Sequence, residues 1–109
     1  MTRFDDDLTI SIEEDGRTVA SAEIRPAGEP GIVHSDLHAE PGKLPNGTRS
    51  RLVDAVLELP QVDKAERLLV TMPLGDTEML ERVRERCDDV DAHAAGATKI
   101  VEARLEHRH

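Results

Sequence analysis

The chain almost lacks aromatic residues. Phe4 is the only one, and there is no Tyr or Trp. A core built without rings is aliphatic and forgoes their large buried area, so modest stability, or support from a partner chain, is expected. Cysteine is nearly absent too. Cys87 stands alone, which excludes an internal disulfide and fits a reducing cytoplasm. No apolar run is long enough to span a membrane, and the first residues, Met1 to Asp7, carry no apolar signal segment. Basic charge is scarce: 14 Lys and Arg stand against 23 Asp and Glu, a formal net charge of -9. That excludes a basic nucleic-acid surface and disfavours docking on anionic membranes. No CxxC pair, P-loop or dinucleotide fingerprint occurs.

What is present is periodic. With 109 residues and 38% hydrophobic content, the chain suits one domain, 1–109, with flexible ends at 1–6 and 106–109. Leu8, Ile10 and Ile12 alternate with polar residues as in a half-buried strand. Asp15-Gly16 marks a hairpin turn, and Ala20, Ala22 and Ile24 form the return strand. A third strand is expected over 32–39. Leu52, Val53, Val56 and Leu59 make one stripe of a helix over 48–59 that Pro60 stops. The run Leu68 to Met72 reads as a central strand buried on both faces. Asp76 caps a second helix bearing Met79, Leu80, Val83 and Cys87, and closing strands follow near 90–95 and 98–105. The predicted fold is α+β, with a mixed, mostly antiparallel sheet in the order βββ-α-β-α-ββ.

One window relaxes the acidity. Between Pro41 and Val53 there is no acid, but there are Lys43, Arg49 and Arg51, and the window leads into a helix N-terminus. Unpaired N–H groups and a partial positive charge there suit an anion. Gly42, Lys43, Asn46, Gly47, Thr48, Arg49 and Arg51 are the candidates, with Arg49 at the start of an exposed helix turn. An ordinary strand-to-helix turn with Thr48 as N-cap fits the same residues.

The order of elements, with this loop, resembles the GNAT family of N-acetyltransferases. There a loop of pattern Gln/Arg-x-x-Gly-x-Gly/Ala holds the pyrophosphate of acetyl-CoA. Leu44-Pro-Asn-Gly47-Thr-Arg49 takes that place here, with Gly47 as the first glycine. Leu44 and Arg49 depart from the pattern, and the general-acid Tyr of the family's next helix has no counterpart. The resemblance implies acetyl-CoA or CoA as cofactor and direct transfer to an amine. It also implies a base on the strand carrying His34, Asp36, His38 and Glu40, and a group titrating near working pH selects His34 or Glu40. The alternative is a non-catalytic α+β interaction module, as a homodimer or with another protein. No metal is expected, since His34 and His38 stand about 13 Å apart along a strand and cannot share one ion.

Overall fold

A computed structural model describes residues 8–26, 31–40, 44–45 and 47–105. Strand β1 is Leu8–Glu14, β2 is Arg17–Pro26 and β3 is Ile32–Ala39. Helix α1 (Thr48–Leu57) and a short α2 (Pro60–Asp63) lead to β4 (Arg67–Pro73). Helix α3 (Thr77–Arg86) precedes β5 (Asp88–Ala95) and β6 (Thr98–Arg104). The strands form one sheet in the order β1-β2-β3-β4-β6-β5, parallel only at β3 and β4. This is the mixed, mostly antiparallel α+β sheet read from the sequence, with β4 central.

Local chemistry accounts for the elements. The β1–β2 hairpin turns at Asp15 and Gly16, both at positive φ (54° and 77°), as a tight primed turn requires. The first helix ends at Leu57, short of the expected 59; Leu59 is extended and leaves the helical stripe, and Pro60 opens α2. At the first helical position its missing N–H costs nothing, and α2 buries Val62 completely. This second helical turn was not expected.

Both long helices pack on one face of the sheet. Helix α1 lies against β1, β2, β3 and α3. It buries Leu52, Val53 and Val56 over Ala22, Ile24 and Leu37, while Met79 and Val83 of α3 complete a core with Leu68, Val70, Met72 and Val101. Each such side chain contributes about 1.5–3 kcal/mol of burial. The opposite face carries no helix among the described residues. Strand β4 is therefore buried on one face only: Leu68, Val70 and Met72 are buried, but Leu69 and Thr71 are half-buried. Its apolar run suggested two covered faces, and the one-sided helix layer is why that expectation fails. No described helix is long and apolar enough to cross a membrane.

A polar clamp joins the helices. Arg82 of α3 donates to both carboxylate oxygens of Asp54 on α1 at 2.8 Å, and Arg86 adds a contact of 2.7 Å. The hydrogen bond from Arg82 holds the Asp54 carboxyl below its usual range. Partial burial opposes this, and the charges of Arg82 and Arg86 reinforce it. A lowered folded value means that the clamp's stabilisation is fully present above about pH 4. It is lost as pH falls through the folded value. Asp54→Asn should cost about 1 kcal/mol at neutral pH. Its melting-temperature deficit against wild type should shrink between pH 6 and pH 3. A deficit that stays constant over that range would remove the clamp's charge from the explanation.

Candidate functional site

The parallel seam of the sheet ends early. Strands β3 and β4 pair from Ile32 and Arg67 as far as Asp36 and Thr71. Both continue, to Ala39 and Pro73, but no described pairing joins them there. Pro73 has no N–H with which to extend the ladder. A cleft of about 490 Å³ opens beyond the divergence. Its walls are the strand ends, at Ala39, Glu40 and Pro73, and the first turns of α1 and α3, at Arg49 and residues 75–78. Strand edges that part in this way present backbone groups in need of partners. Two helix N-termini add partial positive charge to the same place.

Glu40 is set at the lip by the strands beside it. The pairing of β1 with β2 shifts between Ile12 and Glu13, leaving Val19 as a bulge residue. The Glu40 N–H donates to the Val19 carbonyl at 2.9 Å. Arg17 donates to the Glu40 carboxylate at 3.1 Å. A smaller hollow of about 170 Å³, lined in part by Ser21 and His38, shares Ala39 and Glu40 with the main cleft.

The predicted anion-binding residues separate. Gly42, Lys43 and Asn46 lie outside the described residues. Gly47 is the N-cap of α1, with φ 86°. A Cβ there would meet nothing within 4 Å, so the backbone angle, not space, requires glycine. Thr48 is not the cap. It is the first helical residue, fully buried, and its hydroxyl has no hydrogen-bond partner among the described residues. Arg51 turns to Glu14 of β1 at 3.3 Å and does not line the cleft. Arg49 does line it, but it is not the exposed residue expected. Its Nε donates to Asp76 Oδ2 at 2.8 Å and its Nη2 to the Glu40 carbonyl at 3.3 Å.

His34 lies on the helix-free face beside the point of divergence. Its Nε2 is 3.2 Å from Thr71 Oγ1 and 3.2 Å from Asp36 Oδ1, and Arg25 reaches the other Asp36 oxygen at 3.0 Å. Both His34 contacts use one ring nitrogen, so it cannot accept from Thr71 and donate to Asp36 together. Among the described residues no cluster suited to a metal ion occurs.

Three site residues were not singled out from the sequence. Asp76 was read as a cap, and it is one: Oδ1 accepts from Met79 N–H at 3.0 Å while Oδ2 holds Arg49. Glu78 is a first-turn acid of α3, yet its Oε2 accepts from the Ser50 N–H and Oγ at 3.1 and 3.0 Å. Lys99, buried on β6, donates to the Asp76 carbonyl at 2.9 Å. No local sequence signal joins residues so distant along the chain.

No protein-family model matches the sequence, and no curated protein matches it. Solved structures do match in fold. An acetyltransferase of the GNAT family from Streptococcus pneumoniae aligns at a TM-score of 0.65 and 12% identity, over 93% of this chain and 68% of its own. A putative acetyltransferase from Salmonella typhimurium, solved with acetyl-CoA, aligns at 0.65 and 9%, over 94% and 65%. An N-acetyltransferase from Thermoplasma acidophilum, in complex with coenzyme A, aligns at 0.64 and 10%, over 92% and 62%. The chain thus has the GNAT acetyltransferase fold and spans about two thirds of the length of these structures.

The Arg49–Asp76 pair ties α1 to α3 across the cleft, with side chains 20% and 5% exposed. Removing one partner from such a pair leaves a buried charge uncompensated. Arg49→Ala should lower stability by about 2–3 kcal/mol in urea denaturation. A loss below about 0.5 kcal/mol, the range of ordinary surface changes, would show that the pair bears no load.

Proposed function

We propose that the chain binds an acyl-CoA in the cleft between the diverging ends of β3 and β4, and passes the acyl group to an amine. The observation that carries this reading is the divergence itself. Past Asp36 and Thr71 the strands leave a gap with a 490 Å³ cleft over it, in a fold shared with structures solved with acetyl-CoA or CoA. The amides of a pantetheine arm are the partners that two parted strand edges would accept.

When bound, the cofactor supplies an activated acyl carbon and a thiol leaving group. The chain's own part is to hold the arm along Leu37–Ala39 and to manage the amine's proton. That Glu40 borders both hollows supports its carboxylate as the group that an amine entering from one side would meet. Glu40 takes the proton from the incoming ammonium, oriented by Arg17. His34, beside Asp36 at the end of the seam, is the second candidate for that role.

A second reading, a binding module without chemistry, is favoured by a separate observation. Asp76 and Glu78 already satisfy Arg49 and the first turn of α1. That module would act as a homodimer or with another protein.

A thermal melt with acetyl-CoA separates the two readings. At 100 times its Kd, a ligand adds about 2.7 kcal/mol of stability. The wild type should melt several degrees higher with acetyl-CoA, and Ala39→Leu, which fills the cleft wall, should lose most of that rise. A flat melting temperature at millimolar acetyl-CoA would favour the binding module.

A further inference from the structure

An anion already occupies the first turn of α1, and it belongs to the protein. Ser50 is the third residue of α1, so its N–H is one of the four that no helix carbonyl satisfies. Glu78 Oε2 takes that N–H at 3.1 Å and the Ser50 hydroxyl at 3.0 Å. Glu78 is itself the second residue of α3, so its carboxylate is shared by the N-terminal turns of two helices. A diphosphate arriving at α1 would need the same donors. Carboxylate and diphosphate are both acceptors and both negative, so they exclude one another there.

The two carboxylates of this corner differ in how firmly they are held. Asp76 is 5% exposed, caps α3 and pairs with Arg49. Glu78 is half-buried and has no Lys or Arg partner within 4.0 Å among the described residues. Among the described residues Ser50 alone holds it, through two neutral donors, and such bonds are weaker than charge-assisted ones. Glu78 can therefore swing out while Asp76 remains.

Resting on the reading that the cleft takes an acyl-CoA, we propose that Glu78 is a built-in competitor for the cofactor's diphosphate. Its carboxylate closes the α1 N-terminus in the resting protein and must leave before the diphosphate enters. Glu78 also borders the cleft that takes the pantetheine arm, but that arm is neutral and does not compete for the Ser50 donors at the α1 N-terminus. Glu78 thus sets a selectivity: it weakens binding of the charged cofactor and leaves binding of its uncharged arm alone.

Calorimetry on the full chain tests this with two probes, CoA and pantetheine, on the wild type, Glu78→Gln and Glu78→Ala. Gln retains an oxygen that can accept from Ser50, so it guards against a variant that fails to fold, and circular dichroism checks each protein. Removing the charge should tighten CoA by about tenfold or more, with a larger gain at low salt. Pantetheine affinity should stay within about twofold, because that probe has no like charge to repel. A wild type that binds CoA, with folded variants that bind it no tighter, overturns the competitor and leaves the cleft reading standing. Equal gains for both probes also overturn it, since they report a loosened cleft rather than a removed charge. If none of the three proteins binds either probe, the cleft reading fails and the competitor with it.

Discussion

Two helices begin at the place where two strands part, and the rest of the site follows from that constraint. The N-termini of α1 and α3 leave backbone N–H groups unsatisfied at the ends of β3 and β4. The protein answers with its own carboxylates, Asp76 on Met79 and Arg49, and Glu78 on Ser50. The core holds the helices so that these groups meet. Leu52, Val53 and Val56 seat α1 on the sheet, and the Asp54–Arg82 clamp fixes α3 beside it. Without that seating, Asp76 would keep only its own cap donor, Met79 N–H, and Glu78 would lose Ser50.

The one-sided helix layer gives the sheet two different faces. Acidic and basic groups crowd the cleft on the helix side. On the other face, Arg25, Asp36, His34 and Thr71 form a connected row at the end of the parallel seam. A gap between strands is open to both faces. On the proposed acyl-transfer reading, donor and amine would approach this gap from opposite faces.

Much of the fold was legible because it is written in local chemistry. Alternation at Leu8, Ile10 and Ile12 set β1, Asp15-Gly16 set the hairpin, and Asp76 announced α3 as its cap. The helical crossover between β3 and β4 accounts for their parallel pairing. What failed was whatever depended on distant partners. Burial of Leu69 turned on which face the helices chose, and no pattern within β4 records that choice. Arg49 looked like an exposed phosphate ligand because Asp76 lies 27 residues away in sequence. Glu78 looked like an ordinary first-turn acid because its reach to Ser50 exists only once the helices pack. The end of the seam at Asp36 and Thr71 is likewise a property of register, not of composition.

The central claim is that the gap between β3 and β4 is the ligand site. Amide chemical shifts recorded during an acetyl-CoA titration of the labelled protein test it most directly. The account predicts saturable shifts concentrated at Leu37–Glu40, Ser50 and Met72–Glu78, with β1 and β5 largely unmoved. Shifts confined to other surfaces, or none at millimolar ligand, would contradict it.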